Sequence, residues 1–155
     1  MKTIAFICYA NICRSPMAHA IFAAEAAKRG WVVRVLSAGI SSDFQGSLAA
    51  REARLACERH GTPMSKIMAT SVASIDLSGA RRVFAMESDQ VAILTARSAV
   101  ASDRISLLGD FDPLRRGAEI DDPVGQDAIA FDHCYERLRD CIVHYLNTTH
   151  DFGGG

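Results

Sequence analysis

The stretch Thr3-Ile4-Ala5-Phe6-Ile7-Cys8-Tyr9-Ala10-Asn11-Ile12-Cys13-Arg14-Ser15-Pro16-Met17-Ala18 decides how this chain is read. Its first part, Thr3 to Cys8, is a short and nearly continuous apolar run, which predicts a strand buried on both faces. Its last part opens a helix, because Ser15 can cap and Pro16 suits a first turn. The Ala-rich segment Met17 to Arg29 continues that helix, and Gly30 stops it. Between strand and helix lies a loop that a cysteine opens and an arginine closes, Cys8-x5-Arg14.

Working outward, Trp31 to Leu36 predicts a second strand, so the order is strand, loop, helix, strand. That order implies a parallel sheet with a crossover connection. Leu48 to His60 predicts a second helix ended by Gly61, Arg82 to Met86 a third strand, and Asp89 to Ala96 a third helix. Arg104 to Leu108 predicts a fourth strand, Gly109 to Gly125 a long loop rich in Gly, Pro and Asp, and Gln126 to Leu146 a final helix. Residues 1–150 read as one domain, with 151–155 a disordered tail.

In an open parallel sheet, ligands bind at the carboxyl ends of the strands. A loop there can turn successive N–H groups into a concavity that holds an anion, and the helix that follows adds the positive end of its dipole. Arg14 adds a planar fork that grips two oxygens of a phosphate. The same field favours a thiolate at Cys8, and a thiolate beside a bound phosphate is a nucleophile in place. Ser15 can donate to that sulfur. Departure of an oxygen leaving group needs a proton, and Asp112-Pro113 and Asp122-Pro123 both offer a carboxylic acid on a turn.

Composition excludes several other classes. The formal net charge is −1, from 17 Lys and Arg against 18 Asp and Glu, so no broad basic field recruits nucleic acid or an anionic membrane. Five cysteines at irregular spacing, an odd number without a C-x-x-C, argue against a disulfide framework or a zinc site. The five histidines include no HExxH. The run ending at Cys8 is too short for a signal-peptide core, and no stretch approaches the roughly 18 apolar residues of a membrane span. A reduced, cytoplasmic protein is the expectation.

The run Ile7 to Ala18 resembles the phosphate loop of the low-molecular-weight protein tyrosine phosphatases. Ser37-Ala38-Gly39 is similar to the family's motif after its second strand. Leu107-Leu108-Gly109-Asp110-Phe111-Asp112-Pro113 and Ile120-Asp121-Asp122-Pro123 are similar to its general-acid loop. The resemblance runs in order along nearly the whole chain. It implies an α/β fold of three αβα layers, a four-stranded parallel sheet flanked by helices in flavodoxin-like topology, with the phosphate loop after the first strand. It implies hydrolysis of phosphate monoesters, protein phosphotyrosine foremost, through a cysteinyl-phosphate intermediate. Cys8, Arg14 and Asp122 would be catalytic, and Tyr9, Ala10, Asn11, Ile12, Cys13, Arg14 and Ser15 would bind phosphate. Asn11 and Ser37 would hold the loop's shape, and Cys13 would form a reversible disulfide with Cys8 or stay a buried thiol. No metal or cofactor is implied. The substrate would be a phosphorylated protein or a small aryl phosphate, with phosphate as product and inhibitor and no nucleic acid or membrane as partner.

The chain departs from the family at several points. Ala10 stands where Gly is usual, Val124 where an aromatic residue flanks the substrate ring, and Lys66 where His is common. Tyr9 or Phe44 can supply the aromatic wall. His19 reads as a surface residue, and Cys57, Cys134 and Cys141 as packing residues. An arsenate reductase would need further cysteines after the third strand, where residues 86–100 have none. A protein-arginine phosphatase has Thr where this chain has Ile12. A phosphate-binding module without turnover would keep the pocket but have no use for Cys8, Arg14 and Asp122 together.

Overall fold

The computed structural model describes residues 1–152, in which strands and helices alternate. They are β1 (Lys2–Cys8), α1 (Arg14–Lys28), β2 (Val33–Gly39), α2 (Arg51–Arg59), β3 (Arg82–Ala85), α3 (Ser88–Arg97), β4 (Ile105–Leu107) and α4 (Ala128–Thr148). All strand pairs are parallel, in the order β2-β1-β3-β4. The chain moves from β1 to one neighbour and returns past it to the other. This places the crevice of the sheet at the carboxyl end of β1.

The alternation along β1 sorts its side chains into two cores. Ile4, Phe6 and Cys8 face a cluster shared with α1, α2 and α4, whereas Ala5 and Ile7 face a second cluster with Leu77, Leu94 and Val100. β3 does the same, with Phe84 on the first side and Val83 and Ala85 on the second. The central strands are thus covered on both faces, as their unbroken apolar composition requires. Phe6 packs on Phe22 and Phe84, both with centroids 5.6 Å away, and Phe84 meets Tyr145 at 4.9 Å. These contacts lock α1 and α4 onto the sheet.

Several boundaries differ from the sequence expectation. α1 begins at Arg14 rather than Met17, with Pro16 inside its first turn, where a missing N–H leaves nothing unsatisfied. Ser15 does not cap, because its hydroxyl is engaged with Cys8 and Asn11. β2 begins two residues later and ends three residues later than expected, since its register against β1 carries on to the pair Cys8–Gly39. Leu48 to Ala50 is extended rather than helical, tied by the Leu48–Met68 bridge and by Ala50 N–H to Ile12 O at 2.8 Å.

The tail expectation fails for Asp151 and Phe152. Asp151 is buried, bonded by Arg81 at 3.0 Å, by Arg82 at 2.8 Å and by the Tyr145 hydroxyl at 2.7 Å. Phe152 stacks on Trp31 at 5.2 Å. An aromatic ring and a triply bonded carboxylate give these two residues enough contacts to offset the entropy of ordering them. Residues 153–155 of the expected tail lie outside the described residues.

Candidate active site

Cys8 ends β1 and is 3% exposed. Its Sγ lies 3.0 Å from the Ser15 hydroxyl and accepts the Asn11 N–H at 3.2 Å. Asn11 sits at φ +60°, the one non-glycine residue in the left-handed region among the described residues. Asparagine tolerates that region, and here both ends of its amide are held. Its Nδ2 donates to Ser15 Oγ at 2.7 Å, and its Oδ1 accepts the Thr70 N–H at 2.9 Å. Because Ser15 Oγ accepts from Asn11, its own proton is free to point at the sulfur. Ala38 O, the competing acceptor, is 3.5 Å away. Ala10 keeps an ordinary negative φ, so the missing glycine strains nothing.

The loop rests on Gly39. A Cβ there would stand 2.8 Å from the Ala10 carbonyl carbon and 2.9 Å from Tyr9 O. The adjoining chain clasps the loop from outside: Ile40 N–H donates to Cys8 O at 3.0 Å and Ser41 N–H to Tyr9 O at 2.8 Å. Among the described residues no protein backbone acceptor takes the N–H groups of Ala10, Ile12 or Cys13.

Arg14 is 1% exposed. Nη1 donates to Glu87 at 2.5 Å and to Ile120 O at 2.7 Å, and Nη2 lies 3.4 Å from Asp122 Oδ2. Its buried Nε has no partner among the described residues. Burial opposes the charge on this guanidinium, but the nearby charges of Cys8, Glu87 and Asp122 outweigh it and hold the group firmly protonated. A buried arginine with an idle donor fits an oxyanion, which would take that N–H.

The two Asp-Pro candidates separate in space. Asp122 is half-buried at the mouth, with Oδ1 accepting the Val124 N–H at 3.1 Å and Oδ2 facing Arg14. Asp112 is 5% exposed and bonds the N–H groups of Leu114 and Arg115 and the guanidinium of Arg137. Burial alone would raise its pKa, but those donors prevail and hold it below the usual carboxylate range. Asp112 is therefore committed to shaping its loop.

Four cysteines are set apart from Cys8. Cys13, Cys57, Cys134 and Cys141 are each pushed up to about 12, in every case first by burial. For Cys13 the negative charge of Asp122 and the neighbouring sulfurs of Cys8 and Cys134 add to this. They stay protonated at neutral pH; Cys8 is the cysteine whose sulfur meets both an N–H and a hydroxyl. Cys134 packs from α4 toward the site, within the charge field of Arg14 and Asp122.

Ser37 is not in the loop's hydrogen-bond network. Its hydroxyl lies 3.3 Å from His19 Nδ1, and Asn11 is held by Ser15 and Thr70 instead. His19 is half-buried rather than a surface residue, and burial lowers its pKa. Sequence reasoning missed Glu87, 73 residues from Arg14 in the chain. Its place just past β3, the strand beside β1, puts it at the same crevice, which is the one clue the sequence held.

Comparison with known proteins agrees with this geometry. The family model described as low molecular weight phosphotyrosine protein phosphatase matches residues 3–150. The chain is 33% identical to low molecular weight protein-tyrosine phosphatase A of Mycobacterium bovis, covering 90% of this chain and 86% of that one. It is 28% identical to the low molecular weight phosphotyrosine protein phosphatase of Homo sapiens, covering 96% of each. The crystal structure of a low molecular weight protein tyrosine phosphatase from T. tengcongensis superposes with a TM-score of 0.87 at 28% identity, over 96% of this chain and 100% of that one. The strand-end cysteine, the loop on Gly39 and the matched sequence thus converge on one answer: this chain belongs to the low molecular weight phosphotyrosine protein phosphatase family and is a phosphate-monoester hydrolase.

Proposed function

We propose that this protein hydrolyses phosphotyrosine in proteins, with Cys8 as nucleophile, Arg14 as the phosphate clamp and Asp122 as acid and then base. The observation that carries this reading is the pairing of Cys8 with Arg14. The sulfur is met by an N–H and a hydroxyl, and the guanidinium beside it is buried with an unused Nε donor.

The steps follow from the distances. The phosphate dianion enters the loop, takes the free N–H groups and the Arg14 Nε, and replaces part of the Arg14–Asp122 contact. Glu87 and Ile120 O keep the guanidinium aimed while that happens. Cys8 Sγ attacks phosphorus, the S–P bond forms and the P–O bond breaks. Asp122 gives its proton to the departing oxygen. Water then attacks the phosphocysteine while Asp122 takes its proton, and the Cys8 thiolate leaves with the Ser15 hydroxyl donating to it. The loop amides and Arg14 stabilise the equatorial oxygens throughout, so charge is balanced by the chain's own groups.

An aryl substrate suits the mouth. Tyr9 is 53% and Phe44 39% exposed, and they offer the ring contacts that Val124, 52% exposed, does not. Ile12 is apolar and packs against the core, which favours an aryl phosphate over a phosphorylated guanidinium. Among the described residues no helix is long and apolar enough to cross a membrane. Five free cysteines suit a reducing, cytoplasmic setting.

The test is release of phosphate from para-nitrophenyl phosphate, with reductant and a metal chelator, by wild type and Cys8→Ser. Turnover in wild type that vanishes in the variant supports the proposal, and no turnover by folded wild type refutes it.

A further inference from the structure

Large apolar side chains exposed outside the described pocket are informative where they are paired and rigidly held. Leu48, 49% exposed, and Met68, 40% exposed, meet this condition. They face each other across an antiparallel bridge, which places their side chains on one face in direct contact range. Gly46 N–H to Ala69 O at 2.8 Å and Ala69 N–H to Ser47 O at 2.7 Å hold the two chains together. Gln45 Oε1 accepts from both the Ser71 N–H and the Ser74 hydroxyl, at 3.2 and 3.1 Å, and braces the ribbon.

Burial alternates along this ribbon. Ile67, Ala69 and Ser71 point in and Met68 points out, and Ala49 points in beside an outward Leu48. Outward positions of such a pattern are ordinarily polar. Here both are apolar, and both chains run directly into the phosphate loop. Two residues beyond Leu48, Ala50 N–H donates to Ile12 O. Two residues beyond Met68, Thr70 N–H donates to Asn11 Oδ1. The pair therefore stands about 7 Å along the chain from the loop. A phosphotyrosine seated in the loop holds its own main chain outside by the length of its ring, so a side chain next to it in sequence needs to reach only this short distance to meet the pair.

We propose that Leu48 and Met68 form a docking site for an apolar side chain adjacent to the phosphotyrosine of a polypeptide substrate, so that the enzyme selects sequence as well as phosphate. The inference rests on the phosphatase reading above. It commits the patch to the substrate because the patch is continuous with the phosphate site through two hydrogen-bonded chains. A preformed, braced ribbon loses little entropy on contact, which makes a small apolar patch effective.

The experiment compares kcat/KM on two synthetic phosphotyrosine pentapeptides, one with leucine and one with serine on both sides of the phosphotyrosine. Para-nitrophenyl phosphate is assayed in parallel. Wild type is expected to prefer the leucine peptide by about tenfold, the scale of partly burying one such side chain. Leu48→Ser/Met68→Ser should lose the preference, keep turnover of para-nitrophenyl phosphate and melt with wild type, while Met68→Leu should keep the preference. Equal rates of wild type on both peptides would overturn the proposal without touching the phosphatase reading, and this arm needs no variant to fold. A preference that survives the double substitution would also overturn it. So would a wild-type dimer that Leu48→Ser dissolves, because the patch would then belong to a second copy of this chain. Failure of wild type on para-nitrophenyl phosphate would instead remove the phosphatase reading and this proposal with it.

Discussion

At the residue scale, the geometry assigns different consequences to neighbouring side chains. Gly39→Ala would drive a methyl against the backbone of Tyr9 and Ala10, with contacts of 2.8 to 2.9 Å. The expected result is a loss of about 1–3 kcal/mol in a denaturant titration, with turnover falling further because the phosphate loop is displaced. Glu87→Gln weakens both the bond that aims Arg14 and the capping box of α3, and about a tenfold loss of kcat/KM with a small fall in melting temperature is expected. Cys13→Ser is expected to keep most activity, since its thiol is protonated at neutral pH; abolition of activity would show that Cys13 takes part in the chemistry. Cys8 and Arg14 were legible because their spacing sits between a buried apolar strand and a Ser-Pro helix start, in a run that resembles the family's phosphate loop; the spacing by itself recurs by chance. Glu87 and the Thr70 N–H were not. Each acts through a contact between residues remote in the chain, 73 residues from Arg14 and 59 from Asn11, and no local pattern marks such a contact.

At the scale of elements, the segment between β4 and α4 carries the candidate acid, and its shape depends on Asp112 and Arg137. Arg137 reaches from α4 to Asp112 at 3.0 Å, to Ala118 O at 3.1 Å and to Glu119 O. Gly109 lets the turn close, since a Cβ there would fall on Ala118 O. Asp112 and Asp122, alike in sequence, should therefore fail differently. Asp112→Asn leaves Arg137 without its buried partner, with an expected cost of about 3 kcal/mol read from thermal or chemical unfolding. Asp122→Asn should leave stability nearly unchanged and lower kcat by roughly 10²–10⁴-fold. The reverse pattern would exchange their roles. The reading of Gly109 to Gly125 as a loop holds from Asp112 onward, where Gly, Pro and Asp dominate, but Leu108–Phe111 winds into a 3-10 turn. Which Asp-Pro faces the crevice depends on a helix that follows later in the chain, so spacing alone could not separate them.

At the scale of the molecule, Asp151 ties α4 to the start of β3 at the end of the sheet away from the phosphate loop. Asp151 is pulled down to about 2: burial opposes this, but the Tyr145 hydroxyl and Arg82 prevail. Its folded pKa is below its unfolded one, so the carboxylate contributes stability that is complete above about pH 4 and fades as pH falls toward 2. The size is roughly 2 kcal/mol, one pKa unit being about 1.4. Asp151→Asn should lower the melting temperature at pH 7, and the gap to wild type should close between pH 4 and pH 2. A gap that stays constant with pH would mean that the carboxylate's charge is not what holds the end. The layered architecture was readable because the apolar runs of β1 and β3 can only be buried on both faces. The ordered Asp151 and Phe152 were not, because a polar residue and one aromatic before three glycines look like a tail until the pocket made by Trp31, Tyr145, Arg81 and Arg82 exists.

Whether Cys8 carries phosphate during turnover is read by trapping the enzyme in the act. Wild type is mixed with para-nitrophenyl phosphate, quenched in acid within a turnover and digested, and the phosphorylated peptide is sequenced by mass spectrometry alongside Cys8→Ala. Phosphate on Cys8 is expected in wild type, and neither phosphopeptide nor turnover in the variant. Phosphate on another residue, or turnover undiminished in Cys8→Ala, would contradict it.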